Sequence, residues 1–350
     1  MPNLENLTPF AALSLPSMSL TGATLLLVVV SGRFELPRAG SSGSANNDSP
    51  RPTDEQPAVR VVDEYHGKPD ASSLRYEGQS TFLRLATDVL VLGQVWAPRG
   101  KATTRVDVAL VIPNRIAKQI AVWGERVWSQ GIGGLSATAP RPFVSMPLVY
   151  ERSFGGAEPI EAEVRPYEPR NPVGRGFFGN ATQALYQPLP NLEDPRNLIS
   201  SIRDRPTPMG LGPIARSWEP RKSYAGTYDQ KWIDEHAPNW PADFDMRFFQ
   251  AAPPDQALTP HLVGGEDVGL SGVCPDGDVQ FVVPVHRVLL KSYFKRRTLR
   301  RLMTLDSLVI EPDEGTFTLT WRAAVALPDG MFDHEYSIVR LLEPWEDSPS

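Results

Sequence analysis

The sequence predicts a mainly β protein: a sandwich-like antiparallel β core with a long, ordered, irregular Pro/Gly-rich layer and a few short helices. Three observations lead there. Alternating apolar runs stand toward both ends of the chain. Proline is abundant, at 35 of 350 residues, roughly twice average usage. More than half of those prolines fall between Pro140 and Pro260, where apolar periodicity fails. Proline removes a backbone donor and fixes φ, so regular structure there must be sparse.

Taken in order, "TLLLVVV" (24–30) is the one strongly apolar run. It is shorter than the ~20 apolar residues a bilayer-spanning helix needs, and no lysine or arginine precedes it as in a signal peptide. It continues into the alternating "SGRFEL" and reads as a buried strand. "RAGSSGSANNDSPRPTDEQP" (38–57) is small, polar and turn-forming, a flexible surface loop. From about residue 80 to 128 the pattern is a meander of three strands. Val106, Val108, Leu110 and Ile112 share one face, Ala109 and Val111 suggest partial cover on the other, and Ile120 and Val122 oppose Trp123 and Val127. "DVQFVVPVHRVLL" (278–290) sets Phe281, Val283, Val285 and Leu289 on one face, with Pro284 pushing the strand toward an edge or bulge. "LMTLDSLVI" and "TFTLTWRAAVAL" form a hairpin across "EPDEG", in which Phe317, Leu319 and Trp321 alternate with Thr316, Thr318 and Thr320.

One domain is expected over 1–350: a β section (8–154), the irregular layer (155–265) and a second β section (266–345) closing the same core. Short helices are expected in the layer at "NATQALYQ" (180–187) and "YDQKWIDEHA" (228–237). Phe177, Phe178, Tyr186, Trp218, Tyr224, Tyr228, Trp232 and Trp240 require burial, which argues for order. The layer's backbone groups still need hydrogen-bond partners. Forks from Arg170, Arg175, Arg196, Arg203, Arg205, Arg216 and Arg221 are one way to supply them.

Hydrophobic and charged fractions of 41% and 22% are those of a globular rather than a disordered chain. A net charge of -6 argues against nucleic acid as the main partner. The single cysteine, Cys274, sits in a turn; it excludes an internal disulfide framework and a Cys-rich zinc site, and fits a reducing compartment. With no export or membrane segment, the expected compartment is the cytoplasm and no membrane partner is expected. Five histidines stand singly, and "HEYS" (334–337) lacks the second histidine of a zinc-protease motif. "GIGG" (131–134) lacks the Lys-Ser/Thr pair of a phosphate loop. No GxSxG occurs. No cofactor, metal or catalytic residue is predicted. The basic run "FKRRTLRR" (294–301) reads as a solvated strand edge blocked by charge; a contact for an acidic partner is the alternative.

Three segments concentrate the candidate residues. In "YERSFGG", Tyr150, Glu151, Arg152, Phe154, Gly155 and Gly156 close the first β section, the glycine pair permitting φ > 0. In "EPRNPVGRGFFG", Arg170, Asn171, Pro172, Gly174 and Arg175 join a turn to two forked donors. In "DFDMRFFQAAPPDQ" (243–256), Asp243, Asp245 and Asp255 surround Arg247, Phe248, Phe249, Pro253, Pro254 and Gln256. Asp243 and Asp245 flank one phenylalanine, as in the Asp-x-Asp of some metal-dependent sugar transferases. Together with eight tryptophans they motivate an alternative, a carbohydrate-active enzyme or carbohydrate-binding β-sandwich. A Mg²⁺ site would need further oxygen ligands and a phosphate cradle, which the sequence does not offer. The three aspartates therefore read as acceptors for backbone amides and arginines, with the two phenylalanines as anchors and Pro253-Pro254 stiffening the exit.

The segments "MPLVYERSFGG", "EPRNPVGRGF", "LPNLEDPRN", "DRPTPMGLGPIARSWEPRKSYAGTYDQKW" and "PADFDMRFFQAAPPDQ", in that order, resemble the signatures of a bacterial family catalogued as domain of unknown function 2169. "TPFAA", "DEYHGKPDASSLRYEGQ", "ATDVLVLGQVWAPRG" and "LTWRAAV" are similar to it as well, so the resemblance spans roughly residues 8 to 327. It implies a non-enzymatic adaptor or chaperone of the type VI secretion system, which binds a secreted toxin effector and promotes its loading onto the VgrG spike. No catalytic residue comes with it. Effector contact is expected through part of the 150–260 layer.

Overall fold

A computed structural model of the chain describes residues 3–39, 49–327, 330, 332–343 and 345–346. The described residues form a mainly β structure with only two short α-helices. Three larger sheets dominate. The six-stranded sheet runs Ala257–Leu258, Thr87–Val91, Thr304–Glu311, Thr316–Ala326, Thr24–Glu35, Ala11–Met18; only the Thr87–Val91 and Thr304–Glu311 pair is parallel. The five-stranded sheet runs Leu192–Glu193, Ile116–Trp123, Arg105–Ile112, Asp267–Ser271, Val279–Val282. The four-stranded sheet runs Leu4–Asn6, His334–Leu341, Val288–Phe294, Thr298–Leu302. Two strands thus come from the Pro-rich region itself, Leu192–Glu193 and Ala257–Leu258, and close one edge of the five-stranded and of the six-stranded sheet respectively.

The apolar run 24–30 is continuous because its strand is covered on both faces. Leu26, Val28, Val30 and Phe34 enter the main core, where Phe317 stacks on Phe34 (5.3 Å) and Phe281 (4.6 Å). Leu25, Leu27 and Val29 meet Val59, Phe82 and Leu83 instead. Val106, Val108, Leu110 and Ile112 supply the opposing side of the main core as their alternation predicts. Beyond the apolar rows, the second face of the six-stranded sheet is polar. Ser31, Thr320 and Glu311 line it, and a cavity of about 120 Å³ is shared with Tyr76, Glu77 and Gln79 of the segment laid across it. The Gln79 amide donates to Ser31 (2.7 Å) and Thr320 (3.0 Å), and the Tyr76 hydroxyl to Glu311. The threonines of the 316–326 hairpin strand therefore face a covered polar layer; Thr320 is buried. That hairpin is present as expected, turning through Pro312–Glu314 with Gly315 in the left-handed region (φ 64).

Several expectations need correction. The 80–128 meander is split: Thr87–Val91 joins the six-stranded sheet, and only 105–112 with 116–123 form a hairpin. Val111 is 41% exposed, so that face is not covered at Val111. Residues 278–290 are not one strand. The chain leaves one sheet after Val282, passes Pro284, and enters another at Val288, leaving Val285 exposed. Of the 38–57 loop, residues 40–48 lie outside the described residues, while Arg51 to Gln56 run along the 24–35 strand. The Gln56 side chain bonds both backbone groups of Arg33 at 2.8 Å. The two helices appear, shortened to Ala181–Ala184 and Gln230–Glu235 and capped by Asn180 and Asp229. Among the eight layer aromatics, Phe178 and Trp218 are buried but Tyr186 and Tyr228 are exposed. The basic run lies at and beside an edge strand, the place that both the solvated-edge and the acidic-partner readings require.

Candidate functional site

The signature segments are held by two polar fastenings. The first surrounds Glu77, whose carboxylate is buried among three guanidiniums: Arg84, Arg221 at 2.5 Å and Arg216 at 3.1 Å. These arginines also reach backbone. Arg84 Nε donates to the Phe249 carbonyl (3.0 Å), Arg221 to Phe248 (2.8 Å) and Ile214 (2.6 Å). Arg84 further pairs with Asp88 at 3.2 Å, and Asp88 accepts from the Ala251 amide and the Gln250 side chain. The Phe248–Ala251 backbone is thereby bonded on several sides to charges rooted in the six-stranded sheet and in segment 77–88. The α-helix or sheet ladder this backbone lacks is replaced by charge-assisted bonds.

Burial pushes the Glu77 carboxyl up, but Arg221, Arg84 and Arg216 outweigh it and hold it at about 2, against an ordinary 4.5. A carboxyl lower in the folded than the unfolded chain stabilises the fold above its unfolded value, and that contribution is lost as pH falls from 4.5 toward 2. Asp88, pushed up by burial in spite of Arg84, acts in the opposite sense and offsets part of the loss. The urea midpoint is expected to fall across this acid window, with a shallower slope against pH in Glu77→Gln than in the parent.

The second fastening is a backbone knot. Phe154–Gly155 pairs in parallel with Arg175–Gly176. Asn171, fully buried, donates through Nδ2 to the carbonyls of Tyr150 (2.8 Å) and Phe154 (2.9 Å). Gly155 (φ 153) and Gly156 (φ 88) hold the positive φ expected of them. A side chain at Gly174 would meet the Ser153 carbonyl at 2.7 Å. Tyr150 is buried edge-on against Trp218 at 5.6 Å. Pro172 is half-buried in the turn, and Phe154 is buried near Phe177. Glu151 and Arg152 lie on a 3₁₀ turn and bond to separate partners. Glu151 accepts from the Ser73 amide and hydroxyl, both at 2.7 Å, and Arg152 reaches Glu125 at 2.7 Å. Arg175 donates to the Glu151 carbonyl (3.0 Å), and Arg170 forks onto Glu168 at 2.7 Å. Arginine forks to layer carbonyls are realised at Arg205 and Arg221, whereas Arg196 is exposed and meets only Asp194.

The three aspartates have separate partners, none of them in the Glu77 cluster. Asp243 accepts from the Thr227 amide (2.9 Å) and hydroxyl (2.7 Å). Asp245 caps the 3₁₀ turn Met246–Phe249 through the Arg247 amide and holds that residue's guanidinium, which lies over Tyr224. Asp255 pairs with a lysine, Lys118, rather than an arginine (2.9 Å). Lys118 occupies a core-facing position on its strand, where burial lowers its pKa despite Asp255. It also meets Gln256, whose amide bonds Val89 and Leu211 carbonyls. Phe249 is buried and Phe248 half-buried; Pro253 is buried and Pro254 opens a 3₁₀ turn. Because Asp243 is exposed, Asp245 is half-buried and both are committed to local partners that asparagine can also accept from, the double change Asp243→Asn, Asp245→Asn is expected to leave the urea midpoint within error of the parent. Among the described residues no three His, Cys, Asp or Glu side chains are grouped to hold a metal ion.

Sequence reasoning missed the organising segment, 73–88. Ser73 reaches the knot, Glu77 and Arg84 the arginine cluster, and the Gln79 carbonyl takes Arg322, itself paired with buried Asp306. Beside it lies an open groove of about 430 Å³, lined by Val61, Val62, Trp240 and the packed pair Phe82–Phe249 (5.7 Å), with Asp63 and Arg216 as its charged groups. Val61 and Val62 are 56% and 64% exposed.

Fold and fastenings define a class of protein, a mainly β scaffold that carries a loop-built layer fastened by buried charge. The chain belongs to the family described as "Uncharacterized protein conserved in bacteria (DUF2169)", whose family model matches residues 21–322. No curated protein and no solved structure matches the chain.

Proposed function

We propose that the chain is a non-enzymatic adaptor that binds a type VI secretion effector in the cytoplasm and promotes its loading onto the VgrG spike. The observation that carries this reading is the use made of the family segments. Their charged side chains bond each other and backbone carbonyls, so they stiffen a loop surface of the kind binding sites are built on. The groove lined by Val61, Val62 and Trp240 is the surface we assign to the effector, because there the exposed Val61 and Val62 stand beside Arg216 and Trp240 of that stiffened layer. No helix among the described residues is long and apolar enough to cross a membrane. Deleting the gene is expected to abolish secretion of one cognate effector while the machine still fires. In the purified pair, effector should slow amide exchange in the layer, and Val61→Asp with Val62→Asp should weaken co-purification without altering the fold. Unchanged exchange throughout residues 150–260 on adding effector would contradict the reading.

A further inference from the structure

We propose that the strand Thr298–Leu302 is a docking edge for an acidic segment in extended conformation, which adds to the four-stranded sheet as a further strand. The strand is last in its sheet, with no strand of the described residues on its outer side. Two bonds fix its orientation, Met303 N–H to Val288 (2.8 Å) and Phe294 N–H to Arg297 (2.9 Å). With Leu290 opposite Arg301 and Ser292 opposite Leu299, those residues bond inward. The backbone groups of Thr298, Arg300 and Leu302 therefore point out, since bonding direction alternates along an antiparallel strand.

The other outer strands of the three larger sheets are blunted. Ala11–Met18 contains Pro16; Leu4–Asn6, Leu192–Glu193 and Ala257–Leu258 are two or three residues long; Val279–Val282 runs into Pro284. Thr298–Leu302 has five residues, no proline and an unshifted register with its neighbour. Short strands, proline and charge are means of closing an edge; this edge has only its positive charge, which turns away strands of like charge and not acidic ones.

Charge selects the partner. Lys295, Arg296, Arg297, Arg300 and Arg301 are exposed within one short stretch of a chain of net charge -6. Arg297 lies over Phe294, and Arg301 donates to the Ala324 carbonyl (2.6 Å). Lys295, Arg296 and Arg300 form no ion pair among the described residues; Glu346, which feels Arg300, is forked onto Arg340. Such a row repels a second copy of itself and attracts a strand bearing alternate carboxylates. Next to Thr298, in the same cross-strand row, Tyr293 stacks on Tyr336 at 4.5 Å, with Lys291 over the Tyr293 ring. That shelf offers an apolar seat to the added strand's side chains. The inference stands on the edge itself and does not depend on the adaptor reading.

The test uses the full chain and a fluorescein-labelled octapeptide of alternating glutamate and valine, followed by anisotropy at about 50 mM salt, where screening is moderate. Saturable binding is expected, with slowed amide exchange at Thr298, Arg300 and Leu302. The double variant Arg296→Glu, Arg300→Glu should weaken it roughly tenfold or more, circular dichroism confirming an unchanged fold. N-methylation of the peptide amides, which keeps charge and removes strand bonding, should abolish it. Absence of binding by the parent peptide overturns the proposal. So does equal binding of the N-methylated peptide or of a single-stranded oligonucleotide, either of which makes the run a general polyanion patch.

Discussion

Glu77→Gln is expected to lower folding stability by roughly 3–5 kcal/mol, because removing one member of a buried ion cluster leaves Arg221 charged without a carboxylate and Arg84 with Asp88 alone. Arg84 and Arg221 have side chains only 4% and 2% exposed, so neither can recover water as a partner without moving. Both guanidiniums also hold carbonyls of the Phe248–Phe249 turn, so the loss should spread to the layer. The urea midpoint should fall at an unchanged slope, the sign of lost stability rather than an altered unfolded state. A Glu77→Gln protein as stable as the parent would mean that the three arginines are not fastened through this carboxylate.

Gly155→Ala and Gly156→Ala are each expected to cost about 3 kcal/mol, from an unfavourable backbone region plus a collision. At Gly155 a side chain runs into the Asn171 carbonyl; at Gly156 it runs into that of Gly174. Neither neighbour can yield cheaply, since both are backbone within the knot. Gly100 provides the comparison. Its φ is also positive, at 64°, but nothing lies within 4 Å of the added atom. Gly100→Ala should cost only the backbone part, about 1–2 kcal/mol. Thermal or urea unfolding of the three variants separates strain from collision.

The scaffold was legible where one periodicity governed. Strands 105–112 and 316–326 obey period two because one face of each meets the apolar core, whereas a bulge between Leu305 and Ser307 breaks the alternation in 304–311. The sequence misled where chain direction changes between sheets, as at Pro284, since alternation continues locally while the partner sheet changes. In the candidate site, the glycine pair and the arginine forks were readable from residue type. Segment 73–88 was not. Glu77, Arg84 and Asp88 lie on irregular chain or on a strand face that is polar yet covered, so neither spacing nor hydropathy marks them. Asp243 and Asp245 drew notice by crowding, whereas the carboxylate in the middle of the arginines, Glu77, stands far away in sequence. Charge spacing along a chain reports proximity only where the chain is regular.

The central claim is that buried charge, rather than regular secondary structure, fastens the layer to the β scaffold. Native-state amide exchange of the parent and Glu77→Gln tests it most directly, because local opening and global unfolding are resolved residue by residue. The account predicts faster exchange at Ile214, Lys222, Gln250 and Ala251, whose amides are bonded within the layer or to Asp88. Protection along Thr24–Glu35 and Thr316–Ala326 should stay well above that of the layer. Equal loss of protection in layer and sheets, or no change at those four amides, would contradict it.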